Sequence, residues 1–172
     1  FICMRKDEWP IWNSIKKTYL VPKGIDLQRF KPQTLEPKEK LSGDPAILYY
    51  ENWRGERNPL ILCRAMEEVI KVFPKAKLHL YNCPGGKMGD TFTKLINHCR
   101  WYTFVKTLHG SEEDVNRLLN RADIVVSCNH PLYARGIEAF GAGKPFVSPA
   151  YREHDYPYSC NLEAYSMAQA II

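Results

Sequence analysis

Residues 122–149 read ADIVVSCNHPLYARGIEAFGAGKPFVSP, two apolar runs on either side of a polar loop and a Gly-bounded segment. Ile124-Val125-Val126 is a short apolar run of the kind found in a strand covered on both faces. A polar loop from Ser127 to Arg135 follows, then a short helix carrying Glu138, a stop at Gly143 and a second apolar strand at Phe146-Val147. Strand, loop, helix and strand within so few residues make a βαβ unit. In parallel sheets ligands sit beyond the carboxyl ends of the strands, where helix N-termini point unpaired N–H groups outward. The loop from Ser127 to Arg135 occupies that place.

Working outward, the same alternation repeats. Lys17 to Pro22 reads as a short strand, Ala46 to Tyr50 as the next and Ala76 to Tyr81 as a third. Between the last two, Leu60 to Phe73 has apolar residues at helical spacing. Ile61, Ala65, Val69 and Val72 form one stripe, with Leu62, Met66 and Ile70 beside it, and Pro74 ends the helix. The loop Cys83-Pro84-Gly85-Gly86 precedes a helix expected from about Asp90 to Trp101. Thr103 to Leu108 is a strand, Glu112 to Asn120 a helix, and the end of the chain from Asn161 is helical. Residues 1–17, with Trp9, Pro10 and Trp12, read as an irregular linker or the remnant of a preceding domain, and 18–172 as one domain. The fold class implied is α/β, a doubly wound and mostly parallel Rossmann-like sheet of about six strands.

At 172 residues the chain supports one sizeable core. An apolar content of 45% and a charged content of 25% are those of a soluble globular domain. No run approaches the roughly 18 apolar residues of a membrane span. The net charge of +5 suits either plain solubility or an anionic partner: nucleic acid, a membrane surface or a phosphorylated small molecule. Six cysteines without a C-x-x-C pair read as reduced and mostly buried. His79, His98, His109 and His154 show no metal-ligand spacing; no metal and no cofactor is expected.

Ala122-Asp123 followed by Glu138-Ala139-Phe140-Gly141-Ala142-Gly143-Lys144-Pro145-Phe146-Val147 resembles the donor-binding signature of retaining GT-B glycosyltransferases, the large nucleotide-sugar family that includes mannosyltransferases and sucrose and glycogen synthases. Lys23-Gly24-Ile25-Asp26 with Phe30-Lys31-Pro32 is similar to the segment that enters the C-terminal domain of that family, with Lys23 where Asn is usual. The last helix is similar to a late helix of the same domain. The chain therefore looks like a GT-B C-terminal domain that binds a nucleoside-diphosphate sugar. The other domain, which carries the acceptor site and the main catalytic base, would lie outside residues 18–172.

Site residues follow from that resemblance one at a time. Glu138 matches the acid that binds the ribose hydroxyls; a surface Glu favoured by the helix dipole is the plainer account of it. The first acid of the family's pair should stand at His130, where a neutral imidazole offers the donor sugar one hydrogen bond; an ordinary loop His is the alternative. Arg57 stands at the position of a diphosphate-binding Lys. Arg54 is near the position of its Arg partner, which is Asn52 here, and backbone amides at Ala134 and Arg135 complete the anion site. Guanidinium groups suit a pyrophosphate because they bind two oxygens at once. A solvated turn with internal Glu–Arg pairs would also account for residues 51–59. Cys83 to Gly89 lacks the phosphate-loop pattern and matches better a Gly-rich loop of the family near the donor.

The resemblance implies a hexosyltransferase, metal-independent and inactive as an isolated domain. It implies a cytoplasmic protein, with peripheral membrane contact left open for a longer protein. A related GT-B nucleotide-sugar epimerase, or a non-catalytic nucleotide- or nucleic-acid-binding module, are the other readings. The last has no RNA- or DNA-binding motif behind it, and no nucleic-acid partner is expected.

Overall fold

A computed structural model describes residues 2–3, 10, 14, 19–20, 24–51, 60–81, 86–99, 101–108, 115–128, 134–149, 159–160 and 163–172. Eight strands are found among them: β1 (Ile2–Cys3), β2 (Tyr19–Leu20), β3 (Ala46–Tyr49), β4 (Lys77–Tyr81), β5 (Val105–Leu108), β6 (Ile124–Val126), β7 (Phe146–Pro149) and β8 (Ser159–Cys160). The helices are α1 (Leu60–Val72), α2 (Gly86–His98), α3 (Val115–Arg121), α4 (Ala134–Gly141) and α5 (Ala164–Ile171).

Strands β3 to β8 form one six-stranded sheet in the order β5-β4-β3-β6-β7-β8, and every pairing in it is parallel. This is the doubly wound order, in which the chain starts at the centre, builds one half outward, returns and builds the other. Strands β3 and β6, adjacent in space but separated by half the domain, are where the direction of winding reverses.

The expected sheet is right in class and in number of strands, with one exchange. Tyr19–Leu20 does not join it but pairs with Ile2–Cys3 in a separate two-stranded parallel sheet, so the first residues are not wholly irregular. The sixth strand of the main sheet is Ser159–Cys160, paired with Ser148 and Pro149.

All four residues of β3 are buried, as a strand covered on both faces requires. Ile47 and Tyr49 face a core with Leu62, Met66 and Val69 of α1, Phe92 of α2 and Met167 of α5. Ala46, Leu48 and Tyr50 face a second core with Leu118 and Leu119 of α3, Ala139 and Ala142 of α4, and Phe30. Burying such side chains is worth about 1.5–3 kcal/mol each for Leu, Ile or Met, which is what holds the layers together.

Helix α1 is turned from the expected stripe. Its buried face is Leu62, Cys63, Ala65, Met66 and Val69, while Val72, the last residue of the helix, is 53% exposed. Helix α2 begins at Gly86 rather than near Asp90 and ends at His98. Trp101 then opens a single 3-10 turn, its indole N–H donating to Glu67 at 2.6 Å, so this residue closes the helix layer instead of extending it.

Two polar residues of α3 tie down the segment before β3. Asn120 accepts from the Gln33 amide at 2.8 Å and donates to the Lys31 carbonyl at 3.0 Å. Asn116 accepts from the Lys31 amide at 3.0 Å. These bonds satisfy backbone groups that the buried Phe30 would otherwise draw away from water.

Candidate functional site

The winding reversal puts the end of β3 beside the end of β6, and α4 follows β6. Asp123 secures the opposite end of these two strands. Its carboxylate accepts from the Ala46 amide at 2.9 Å, and its own amide donates to the Ala46 carbonyl at 2.9 Å. The acid of the Ala122-Asp123 pair is thus a strand clamp.

Helix α4 stops in a way its sequence dictates. The amide of Gly143 donates to Phe140 and that of Lys144 to Ala139, both at 2.9 Å. Gly143 adopts φ +70°, the left-handed conformation that closes this kind of helix end and that Gly enters without penalty. Two residues earlier, a Cβ on Gly141 would lie 2.6 Å from Cδ1 of Ile25 and 2.9 Å from Cβ of Phe30. The helix is therefore pressed against the Ile25–Phe30 turn, a turn in which Asp26 accepts from the Gln28 amide at 2.9 Å.

The expected orientation of α4 needs correction. Helical spacing predicts that Ile137 and Phe140 face the core, yet Ile137 is only half-buried and Phe140 is 41% exposed. The buried positions are Gly136, Ala139 and Ala142. So close an approach admits only small residues on the inner face, and Phe140 instead sets its ring edge-on to Phe146 from the side, 5.9 Å between centroids.

Glu138 nevertheless reaches the end of β3. Its Oε2 accepts from the Tyr50 hydroxyl at 2.7 Å and from the Arg135 guanidinium at 3.0 Å. The guanidinium also lies over the Tyr50 ring, 4.9 Å from its centroid. A hydroxyl has one hydrogen, and the short contact to an anion takes it in preference to the Arg135 carbonyl at 3.1 Å. Burial first, then the charge of Glu138, pushes the Tyr50 phenol far above its usual range, so it stays a neutral donor. For Arg135 burial works toward a lower pKa, but Glu138 and Tyr50 outweigh it and the net shift is upward. The result is a pre-set carboxylate with one oxygen occupied and, among the described residues, no bond to the other.

Of the residues singled out in the sequence, Glu138 and Arg135 are brought together at the sheet's winding reversal. Ala134 starts the helix. Arg54, Arg57 and His130 lie outside the described residues. Tyr50 was not singled out, because its role depends on the register of β3 against β6 and not on any local pattern. Glu51, next along the chain, is a buried carboxylate at the same edge. Among the described residues no group of three His, Cys, Asp or Glu side chains has metal-binding geometry, and no helix is long and apolar enough to cross a membrane. Cys63 and Cys128 are buried, and burial pushes the thiol of Cys63 up to about 12.

A parallel sheet of this order, with polar side chains gathered where its winding reverses, defines the class: a doubly wound α/β domain of the kind that receives ligands at that edge. The particular version of the fold is the GT-B C-terminal domain. Sucrose-phosphate synthase from Thermosynechococcus elongatus superposes with a TM-score of 0.75 at 18% identity, over 99% of this chain and 47% of that one. A glycosyltransferase from Rickettsia africae gives 0.74 at 16% identity, over 90% of this chain and 46% of that one. Anabaena HepE in complex with UDP-glucose gives 0.73 at 16% identity, over 99% of this chain and 52% of that one. The chain thus spans about half the length of these GT-B glycosyltransferases. No protein-family model and no curated protein matches the sequence itself.

Proposed function

We propose that residues 18–172 are the nucleotide-sugar-binding domain of a retaining glycosyltransferase, a hexosyltransferase that needs no metal. The observation that carries this reading is the Glu138 carboxylate, held by Tyr50 and Arg135 beside the end of β3. A carboxylate there would repel a diphosphate, so it is useful to a nucleotide only where it meets donors. The 2′- and 3′-hydroxyls of a ribose are such a pair. Solved structures of the same fold with UDP-glucose, and with UDP and GlcNAc, support a nucleoside-diphosphate sugar as the ligand.

In this reading Arg57 and Arg54, with the amides at Ala134 and Arg135, take the diphosphate and stabilise the charge that develops on it as the sugar leaves. His130 meets the donor sugar. A second domain, which residues 1–17 would join to this one, brings the acceptor and the main catalytic base, so this chain alone transfers no sugar. The protein is cytoplasmic in this reading, and a longer form touches the membrane only peripherally.

The experiment is calorimetry on Glu138→Gln. The variant keeps the size and one acceptor, so binding of UDP should weaken by about 1–2 kcal/mol. Binding of 2′,3′-dideoxy-UDP, already weaker to the native chain, should change little. Equal losses for both ligands would make Glu138 a structural residue and remove the main support for a ribonucleotide site.

A further inference from the structure

We infer that Tyr50 is a positioning residue for ribose recognition: its hydroxyl fixes the Glu138 carboxylate so that Oε1 alone faces a ribose, and Arg135 is the counter-ion that lets this acid stand near a diphosphate. The inference rests on the ribose reading of Glu138 given above and adds to it the two groups that make that reading physically workable.

A ribose-binding carboxylate sits within a nucleotide's length of two phosphates, and like charges in a partly shielded site repel strongly. Arg135, three residues before Glu138 on α4, removes most of that repulsion with a 3.0 Å ion pair. Its side chain is 34% exposed and that of Glu138 19%, so the pair is shielded enough to matter but still reachable from solvent.

An ion pair on one helix would leave the carboxylate free to rotate about its last bond. Tyr50 prevents this from a different element. The hydroxyl comes from the residue just after β3, across the winding reversal, and it binds Oε2, the same oxygen that Arg135 binds. Both donors fall on one oxygen, which fixes the plane of the group and turns Oε1 away from them. The phenol itself cannot drift. Tyr50 is 4% exposed, packed in the core with Leu48 and Ala139, and capped by the Arg135 guanidinium over its ring. Phenylalanine at this position would fill the same space and lose only the donor. A hydroxyl at the bottom of a ligand site, spent wholly on orienting an acid, is a device for geometry and not for packing.

The test measures a ratio. The purified chain is titrated with UDP and with 2′-deoxy-UDP, natively and as Tyr50→Phe. The native chain should prefer UDP by on the order of tenfold, the size of one charge-assisted hydrogen bond. In Tyr50→Phe the preference should fall at least about threefold, chiefly by weaker UDP binding, while 2′-deoxy-UDP changes by less than about twofold. In a Glu138→Gln background the same substitution should no longer change the ratio, since the two residues act as one unit. Should Tyr50→Phe not fold, Arg135→Met carries the test from the exposed side of the cluster. It should lower the UDP preference and weaken UDP more than uridine. A native chain that binds UDP and 2′-deoxy-UDP alike, or neither, overturns the ribose reading of Glu138 and this inference with it. A native preference that survives Tyr50→Phe unchanged, or equal losses for both ligands, overturns the inference alone.

Discussion

The Nζ of Lys144 lies 2.8 Å from the carbonyl oxygen of Ala122 and 3.1 Å from that of Asn120. Both residues stand ahead of their strands, at the edge of the sheet opposite the candidate site. Lys144 belongs to the Gly-Lys-Pro signature, yet it closes the C-terminal end of α3, where unpaired carbonyls and the helix dipole both favour a cation.

Lys144→Met should therefore cost stability and spare binding. Methionine keeps the apolar stem and loses two charge-assisted bonds, so the loss should be about 1.5–3 kcal/mol, visible as a lower urea midpoint at unchanged slope. Nucleotide affinity of the folded fraction should stay the same. A variant of native stability with impaired binding would place Lys144 in the site.

At Gly141 two effects oppose one another. Alanine is the better helix former by about 1 kcal/mol. The added methyl would stand 2.9 Å from Cβ of Phe30 and 3.2 Å from its carbonyl oxygen, neither of which can swing aside as the tip of Ile25 can. Overpacking of this kind costs about 1–3 kcal/mol, so Gly141→Ala should be destabilising on balance. Thermal unfolding decides it, and a stabilised variant would mean the Ile25–Phe30 turn yields.

His79 gives the domain a pH dependence. It is buried on β4, and its Nε2 is 2.7 Å from the Ser42 carbonyl, which only accepts, so Nε2 carries the proton. Among the described residues Nδ1 has no partner. Burial, together with Lys77, Arg121 and Lys106, holds the His79 pKa below its ordinary value, against the opposing pull of the Ser42 carbonyl. Below about pH 6.5 the unfolded chain gains a proton that the folded chain resists, so stability present above that pH falls as the pH drops. Urea unfolding at pH 7.5 and 5.5 should show the loss, and His79→Gln should shrink it. An unchanged difference in the variant would assign the effect to other groups.

If Arg57 takes the diphosphate as proposed, Arg57→Ala should weaken UDP binding by about 1.5–3 kcal/mol, the size of a charge-assisted contact to a phosphate, and uridine binding far less. Calorimetry with both ligands measures this, and equal losses would take Arg57 out of the diphosphate site.

Much of the fold was legible because apolar runs and helical stripes are local. Ile124-Val125-Val126, the α4 segment and the Gly143 stop could be read directly, and they carried the class of the sheet. What could not be read depended on approach and register. Ser159–Cys160 is too short to carry a strand pattern, and it becomes one only because β7 lies beside it. Helical spacing put Ile137 and Phe140 inward, since nothing local says that α4 comes close enough to exclude them. Glu138 could be picked out by its flanking pattern, but Tyr50 is 88 residues away and no spacing rule connects the two. Asp123 and Lys144, both part of the signature, turned out to hold strands and helix ends together.

Helix α4 is gripped at its far end, by the contact of Gly141 with the Ile25–Phe30 turn and by the closing bonds at Gly143 and Lys144. That makes it a cantilever with its fulcrum about 9 Å along the axis from Arg135, at a rise of about 1.5 Å per residue. A tilt forced at the fulcrum is felt as a displacement at the tip, where Arg135 and Glu138 meet Tyr50. Aim at the proposed site would thus be governed from the other end of the helix, and a change at Gly141 or Phe30 would be read out there as a change in affinity.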